Sequence, residues 1–253
     1  MKNSAKKKEK FSLELEDQHW FPDSLRAYQT DLLGAFARFL RIYDPAKAFL
    51  NNKVRTGQTL VDLASGSGVP ALLATEGMEI SIKLCDKFPE EKQVKFISKH
   101  EKSNYIPKSI DVLLDDLPKG DCYTMFNGLH HFSPTEIALI LLKAKSNNTS
   151  IYFFEPIAPG LLVYLKVALA TLILPVFLVP FIKPFRWDRL FFTYLFPIGL
   201  LATFWDGMIS VSKSYSLTTL GQMQTNLATK DISVTYGKLN GKFTNLTYLG
   251  LNL

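Results

Sequence analysis

Short apolar runs separated by polar segments recur through the first 155 residues. The intervening residues 70–75, 90–99 and 134–144 have the spacing of amphipathic helices. Strands that alternate with helices predict a parallel sheet covered by helices on both faces. The five runs that predict strands are Thr59–Leu63, Ile80–Cys85, Ile110–Leu114, Cys122–Phe126 and Ser150–Phe154.

Apolar residues before the first of these strands recur at helical spacing. They predict a helix over residues 25–43, with Asp23 or Ser24 as its N-cap. Pro45 is expected either to end this helix or to mark a second short one. Both alternatives leave an N-terminal helical segment in front of the sheet.

The pattern changes again at the end of the chain. We expect a helix after residue 214, followed by two strands, Ile232–Tyr236 and Thr244–Leu253. The dipeptide Asn240-Gly241 lies between these strands and is a strong hairpin signal. The pattern as a whole predicts an α/β, Rossmann-like fold: a seven-stranded, mostly parallel sheet with a C-terminal β-hairpin.

Residues 156–214 form an apolar helical insertion between the fifth and sixth strands. Leu161–Ile182 has one charged residue in 22, and Leu190–Trp205 has none in 16. The first stretch has the length needed to span a bilayer, about 20 residues. Both ends must return to the same sheet, so we expect a monotopic hairpin in one leaflet. Its basic residues would lie at the headgroups: Lys183, Arg186 and Arg189.

A soluble lid is the alternative for this insertion, and a homodimer interface is a further one. Because the insertion follows the fifth strand, we expect an apolar roof over the catalytic edge in either case. The domain organisation predicted is residues 1–155 for the N-terminal helical segment and cofactor-binding part, 156–214 for the insertion, and 215–253 for the part that completes the sheet.

Charge and cysteine content add information on location. The net charge is +6, and five lysines fall within the first ten residues. Such a tail can dock on anionic lipid or nucleic acid, or it can be a solvated terminus. No apolar segment resembling a secretory signal follows it, so we expect a cytoplasmic protein, peripheral or monotopic at the membrane. Cys85 and Cys122 lack metal or disulfide spacing and are expected to be buried free thiols in a reducing compartment; no metal is predicted.

A glycine-containing turn follows the first strand. It comprises Ala64, Ser65, Gly66, Ser67 and Gly68, and it leads into a helix. Glycines allow the backbone to approach a ligand, and a helix N-terminus offers N–H donors. Asp86 lies 18 residues after Gly68, where a carboxylate can accept hydrogen bonds from ribose hydroxyls.

Asp62 through Gly68 resembles the acidic-x-Gly-x-Gly-x-Gly motif of class I S-adenosylmethionine-dependent methyltransferases, with Ala64 in place of the first glycine. The segments at Trp20-Phe21-Pro22 and Pro184-Phe185-Arg186-Trp187 are similar to a bacterial group of such enzymes of unassigned substrate. The resemblance implies that S-adenosyl-L-methionine is the cofactor, with Asp86 at the ribose and Asp111 at the adenine. The implied cofactor-binding set is Asp62, Ala64, Ser65, Gly66, Gly68, Asp86, Lys87, Asp111, Val112, Phe126 and Asn127.

The segment after the fourth strand, Leu129-His130-His131, is similar to a loop that lies beside the methionine part of the cofactor in many small-molecule methyltransferases. Histidine titrates near neutrality, so His130 and His131 are the candidate general bases. Glu155, at the end of the fifth strand, is a second kind of candidate. Each of the three could instead have a packing, hydrogen-bonding or capping role.

Several functions are compatible with this pattern. A nicotinamide-dependent dehydrogenase shares the glycine turn, but the glycine spacing and the hairpin favour the methyltransferase. A nucleic-acid methyltransferase is disfavoured because the insertion is apolar rather than basic, so no nucleic-acid partner is expected. A non-catalytic membrane-associated or scaffold protein that kept the fold remains open. We predict methyl transfer to a hydrophobic small molecule or lipid-like acceptor at a membrane surface.

Overall fold

A computed structural model describes residues 14–97 and 102–253 of the chain. The lysine-rich segment within the first ten residues lies outside this part. So does the end of the helix predicted over residues 90–99.

One seven-stranded sheet runs through the described residues. Its strands are β1 (Thr59–Leu63), β2 (Ser81–Cys85), β3 (Ser103–Tyr105), β4 (Cys122–Phe126), β5 (Ser150–Glu155), β6 (Val234–Leu239) and β7 (Leu246–Leu251). They lie in the order β3-β2-β1-β4-β5-β7-β6. The first five strands are parallel, whereas β7 is antiparallel to both of its neighbours. The predicted fold class and the C-terminal hairpin are confirmed.

Helices connect the strands and precede them. They are α1 (Asp23–Phe39), α2 (Asp44–Asn51), α3 (Val69–Ala74), α4 (Glu91–Ile97), α5 (Pro134–Ser146), α6 (Leu161–Leu178), α7 (Trp187–Leu190), α8 (Ile198–Lys213) and α9 (Leu217–Ala228). Pro45 lies in the first turn of α2, so the second of the two expectations for this proline is correct. Helix α5 begins with a capping box formed by Ser133 and Glu136, which satisfies two backbone N–H groups.

The sheet is buried on both faces, as expected for parallel strands between helices. All five residues of β4 are buried, and so are five of the six in β5. Val61 and Tyr123 pack on the face that α5 and α9 cover, and Leu60 and Phe154 pack on the opposite face with α2 and α3. The two predicted thiols are confirmed as buried and free of disulfides.

The strand predicted at Ile110–Leu114 is wrong. These residues form a loop, and the third strand is instead the short polar segment Ser103–Tyr105. Ile110 and Val112 nevertheless reach the core from the loop. Their apolar character therefore correctly indicates burial, but the buried segment is a turn and not a strand. A side chain donates the hydrogen bonds that the carbonyl groups of this turn accept.

Two compact units divide the chain. One contains the described residues up to Leu33 together with Ile157–Ser214, and the other contains Gly34–Pro156 and Tyr215–Leu253. The second unit holds the whole sheet. The first, which we call the insertion unit, joins the N-terminal segment to the apolar insertion, and its elements are α6, α7, α8 and the beginning of α1.

Buried polar pairs organise the insertion unit. Asp31 accepts hydrogen bonds from Arg189 at 2.9 Å and lies 3.5 Å from Arg186. Asp206 accepts from the backbone of Leu15 and Glu16 and from the Gln29 side chain. The expectation that Arg186 and Arg189 lie at lipid headgroups is therefore wrong, since both side chains are buried beside carboxylates that offset their desolvation.

Close packing joins the two long helices of the insertion unit. A Cβ on Gly207 of α8 would lie 2.8 Å from the Val167 side chain of α6, so this crossing requires glycine. The outer side of α6 is exposed along its length and carries one charged residue, Lys166. Leu161, Leu165, Leu169, Leu172 and Val176 are all exposed and recur every three or four residues. The described residues thus leave one helical stripe of large apolar side chains uncovered.

The described residues include one helix, Leu161–Phe181, that is long and apolar enough to cross a membrane. A second candidate is the pair Trp187–Leu195 and Ile198–Lys213, which is bent by 81°. Unlike the core helix of a soluble protein, the first candidate is mostly exposed.

Candidate cofactor and active site

The turn after β1 has the backbone conformation of a ligand-binding loop. Ala64, Gly66 and Gly68 all have positive φ, at 51°, 51° and 72°. A Cβ on Gly68 would also lie 2.5 Å from the Leu84 side chain, so this position requires glycine for two reasons. Helix α3 starts directly after Gly68, with Pro70 in its first turn.

Hydrogen bonds from neighbouring strands hold this turn. The Tyr105 hydroxyl donates to the Gly66 carbonyl at 2.8 Å. The Ser65 hydroxyl donates to the Asp62 carbonyl at 2.7 Å and accepts from the Cys85 N–H at 3.1 Å. The loop is therefore fixed before any ligand arrives, which reduces the entropy lost on binding.

Asp62 lies at the base of the turn and is buried. Its Oδ1 accepts a hydrogen bond of 2.8 Å from the Thr124 hydroxyl on β4. Burial raises the pKa of Asp62 to about 7, although hydrogen bonds from Thr124 and Ser65 offset part of the effect. Asp62 thus supports the turn from below and titrates near neutrality.

Asp86 lies at the same edge of the sheet, directly after β2. One carboxylate oxygen accepts from the Gly66 N–H and the other from the Phe88 N–H, each at 2.8 Å. The Lys87 N–H is a third donor to this carboxylate, which has about four acceptor positions, so about one remains for a hydroxyl of a ligand. Burial raises the pKa of Asp86, and the N–H bonds and the nearby His131 offset part of this shift.

Asp111 lies at this edge of the sheet, but it belongs to the loop after β3 and not to the strand that was predicted there. Asp111 forms an ion pair of 3.0 Å with Lys87, and the Ile110 N–H donates to the Asp86 carbonyl. Partial burial favours a higher pKa for Asp111, but Lys87 and the Leu113 N–H outweigh it and lower the pKa. Val112 is a core residue, so any contact with a cofactor would be through its backbone.

The Lys143 ammonium group of α5 fixes the same loop. It donates to the carbonyl groups of Val112, Leu113 and Asp115 at 2.7 to 3.1 Å. Three charge-assisted bonds replace the partners that a strand would have given these carbonyls. Nothing in the local sequence of the loop indicates this lysine.

At the end of β4 the chain turns sharply. Phe126 stacks on Phe154 in the core, with ring centroids 5.2 Å apart, so its side chain has a packing role. Asn127 has a positive φ of 54° and donates its N–H to the Phe154 carbonyl. This turn directs the following segment, Leu129–His131, along the edge where the parallel strands end.

A buried histidine and carboxylate meet there. The Nδ1 atom of His130 lies 2.8 Å from Oε2 of Glu155, and Oε1 of Glu155 accepts the Leu129 N–H at 2.7 Å. The His131 ring lies against that of His130, at a centroid distance of 4.4 Å. The structure therefore brings the three predicted catalytic residues together and gives them different environments.

Comparisons with known proteins identify the fold. No protein-family model and no curated protein matches the sequence. Among solved structures, the plantazolicin methyltransferase BpumL in complex with S-adenosylhomocysteine is similar at a TM-score of 0.58 and 11% identity, covering 98% of this chain and 99% of that one. A Methanococcus maripaludis protein, provisionally named an S-adenosylmethionine-dependent methyltransferase, gives 0.51 at 13% identity, with 88% and 91% covered.

A Rhodobacter sphaeroides structure provisionally named as a zinc-dependent alcohol dehydrogenase is also similar, with a TM-score of 0.51, 11% identity and 89% and 98% covered. The sheet order distinguishes the two folds. Dinucleotide-binding dehydrogenase domains have strands in the order 3-2-1-4-5-6. Here an antiparallel β7 lies between β5 and β6. The chain has the class I methyltransferase fold. In the comparison with human N-acetylserotonin methyltransferase, at a TM-score of 0.47 and 13% identity, the chain spans 50% of that protein's length.

Within this methyltransferase fold, several supporting residues were missed from the sequence. Tyr105, Thr124 and Lys143 hold the cofactor side, and the Tyr215 hydroxyl donates to the Phe132 carbonyl at 2.6 Å beside the histidines. Burial raises the pKa of Tyr215 to about 12, so it remains a donor at neutral pH. Each of these four acts across strands or loops distant in sequence, so no local pattern reveals it.

Proposed function

We propose that the protein transfers a methyl group from S-adenosylmethionine to a hydrophobic acceptor at a membrane surface. The preformed turn after β1 is the observation that supports S-adenosylmethionine as the methyl donor. Three of its residues have positive φ, and the N–H of one of them, Gly66, donates to Asp86 at the end of the neighbouring strand. The fold and this turn are those of a cofactor site at the carboxyl ends of parallel strands.

The side chains at this edge fit the cofactor's groups. Asp86 keeps an acceptor position for a hydroxyl of a ribose, and the loop at Asp111 gives a second polar surface next to it. When bound, S-adenosylmethionine supplies a methyl group already activated for displacement, so the protein mainly has to align the acceptor.

The second half of the proposal is supported by the exposed apolar surface of the insertion unit. The chain leaves the sheet directly after Glu155 and returns at Tyr215, which bonds to the loop after His131. Eighteen large apolar side chains between residues 161 and 205 are exposed, more than a soluble monomer normally leaves in contact with water. We therefore propose a monotopic attachment to one leaflet and an acceptor that partitions into it.

Isothermal titration with S-adenosylmethionine tests the first step. We expect the full-length protein to bind the cofactor, Asp86→Asn to weaken binding at least tenfold, and Asp116→Asn, an exposed aspartate on a neighbouring loop, to leave it unchanged. Absence of binding to the wild-type protein would refute the proposal.

The second step uses methyl-labelled cofactor and vesicles made from a lipid extract of the host cells. Label in an organic-soluble product is the expected result. Cofactor binding without any labelled product would instead support the other candidate function, a non-catalytic protein that kept the fold. Ala64 at the first glycine position of the motif is the observation that favours this second candidate.

A further inference from the structure

We propose that helix α6 lies flat in the plane of an anionic lipid leaflet, with its apolar stripe among the acyl chains and with Lys166 and Lys183 at the headgroups. This inference rests on the membrane attachment in the proposed function and specifies the lipid partner and the orientation. It arises from the positions of exposed apolar and charged side chains on the insertion unit.

The exposed stripe of α6 runs along one side of the helix from its first turn to its last. It consists of Leu161, Leu165, Leu169, Leu172 and Val176. At about 100° per residue, these positions fall within an arc of about 80°. The opposite side faces Gly207 of α8, where an added Cβ would lie 2.8 Å from Val167. A narrow stripe along the whole length is buried evenly only if the helix lies along the lipid surface, as interfacial helices do.

Two exposed lysines lie at the edges of this stripe. Lys166 comes three residues before Leu169, which places it about 60° around the helix axis from that residue. Lys183 follows the other end of the helix, which runs to Phe181. A lysine beside an apolar face keeps its ammonium group at the headgroups while its stem lies against apolar surface. The two lysines therefore indicate the headgroup level at both ends of α6.

The exposed charge of the insertion favours an anionic partner. Residues 157–214, all of which the structure describes, contain two acidic side chains, Asp188 and Asp206. Asp206 is buried, and Asp188 accepts a hydrogen bond from Arg186 at 3.0 Å. In a symmetric dimer through the stripe, this positive face would meet itself. A leaflet with anionic headgroups instead offers opposite charge and an apolar interior together.

The separation of the lysines argues against a helix that enters the leaflet end-on. From Lys166 to Phe181 the helix is about 22 Å long, whereas the hydrocarbon of one leaflet is about 15 Å thick. With Lys166 at the headgroups, an end-on helix would carry Lys183 past the middle of the bilayer, where a charged side chain is costly. A flat helix leaves both lysines at the surface.

A full crossing by α6 is excluded because both of its ends are tied to the chain that forms the sheet. Leu161 follows closely after Pro156, where the segment Gly34–Pro156 ends. Beyond the other end of α6, Arg189 donates to Asp31 at 2.9 Å, and Asp31 directly precedes the start of the same segment. Both ends therefore belong on one side of a membrane.

The first experiment measures co-sedimentation of the full-length protein with vesicles of phosphatidylcholine, alone or mixed with phosphatidylglycerol. Lys166→Gln combined with Lys183→Gln removes both proposed headgroup contacts. The matched control, Lys108→Gln combined with Lys238→Gln, removes the same charge from exposed lysines of the unit that contains the sheet. The lysine-rich N-terminus is the same in all three proteins, so its contribution cancels.

We expect the Lys166 and Lys183 variant to bind the mixed vesicles about tenfold more weakly than the wild type, because each lysine near the surface adds to the attraction. Its binding to phosphatidylcholine alone should stay within about twofold, since the stripe is intact. The control should bind both kinds of vesicle nearly like the wild type. Equal losses in the two double variants would show that only net charge matters and would overturn the inference.

The second experiment measures depth along the stripe. Leu161, Leu169 and Val176 are replaced by cysteine one at a time and spin-labelled, while Cys85 and Cys122 are buried and stay unlabelled. Paramagnetic resonance compares the access of oxygen and of a water-soluble nickel complex to each label in the mixed vesicles. We expect three immersed labels at depths within about 5 Å of one another, whereas an end-on helix would spread them over about 22 Å.

A spread close to that of the end-on helix, labels that stay accessible to the nickel complex, or labels that broaden one another without lipid, as in a dimer, would overturn the inference. Failure of the proposed function looks different. A wild-type protein that binds neither kind of vesicle would refute the membrane attachment and this inference with it. Vesicle binding by the wild type with a contrary lysine or depth result would refute this inference alone.

Discussion

Ala64 adopts a backbone conformation in which alanine is strained. Its φ of 51° places it in the left-handed region, where a Cβ costs about 1–2 kcal/mol and glycine has no such cost. Glycine loses about 0.5–1 kcal/mol more backbone entropy on folding. We therefore expect Ala64→Gly to raise the free energy of unfolding by about 0.5 kcal/mol, measured by urea denaturation.

Ala48 provides the matched control for this substitution. It is an exposed residue within α2, where the same change should lower the free energy of unfolding by about 1 kcal/mol. Opposite signs at the two positions would establish the strain at Ala64. A loss of stability of similar size in both variants would contradict it.

Asp62 gives the stability of the protein a specific dependence on pH. Its pKa is about 7 in the folded protein, against an ordinary value of 3.8 for an aspartate side chain. Between these values the folded state keeps the proton that the unfolded chain has lost, so stability falls as pH rises through this window and is level above it. Asp62→Asn should flatten this decline, which can reach about 1.4 kcal/mol per pH unit.

Urea denaturation at several pH values between roughly 4 and roughly 8, the window in which the linkage acts, measures this effect. Thr124→Val keeps the Asp62 carboxyl but removes a hydrogen bond to its charged form, so the decline should extend to higher pH. If the wild-type and Asp62→Asn proteins lose the same stability over this range, the assignment to Asp62 is wrong.

Lys143 shows how one side chain replaces an element of secondary structure. Its three bonds to the loop carbonyls hold Asp111 near Asp86. Lys143→Met keeps the length and removes the donors, and we expect the free energy of unfolding to fall by about 2 kcal/mol. Hydrogen exchange of residues 111–117 should accelerate, and cofactor affinity should fall several-fold.

Lys145, two residues further along α5, is the control. It forms an ion pair with Asp231, whose side chain is fully exposed, so Lys145→Met should change stability little. Equal effects of the two methionine variants would mean that the loop does not depend on Lys143.

This loop also shows where prediction from the sequence ends. The strands on either side of the glycine turn were predictable, because buried parallel strands are continuous apolar runs. Ile110–Leu114 has the same composition, yet it is a loop, since its carbonyls find Lys143, 30 residues away from Leu113. The actual strand, Ser103–Tyr105, is short and polar, and composition does not distinguish it from a turn.

At the scale of the whole molecule, composition predicted an apolar insertion but not the buried polar contacts inside it. A low density of charge led to the prediction of an insertion over residues 156–214, whereas the compact unit of the structure also includes the described residues up to Leu33. The burial of Arg189 was not predictable, because its partner Asp31 lies 158 residues away in sequence. Asp62, Asp86 and His130 were predicted as site residues from a motif, whereas the hydrogen bonds that hold them join strands and loops distant in sequence.

The exposed stripe of α6 leads to the last prediction. If it enters a lipid leaflet, substitutions on it should weaken binding to vesicles without unfolding the protein. Leu165→Asp combined with Leu169→Asp removes two exposed leucines from the middle of the stripe. Burial of a leucine contributes about 1.5–3 kcal/mol, so partitioning into neutral phosphatidylcholine vesicles should fall at least tenfold. Co-sedimentation with vesicles measures it.

Leu114→Asp is the control, because Leu114 is also exposed but belongs to the unit that contains the sheet. It should bind vesicles like the wild type. Neutral lipid is required, since the lysine-rich N-terminus would bind an anionic surface by itself. A dimer interface gives the reverse result: the wild-type protein would sediment as a dimer without lipid, and the double variant as a monomer. That outcome would exclude the leaflet as the partner of α6, because one stripe cannot be covered twice.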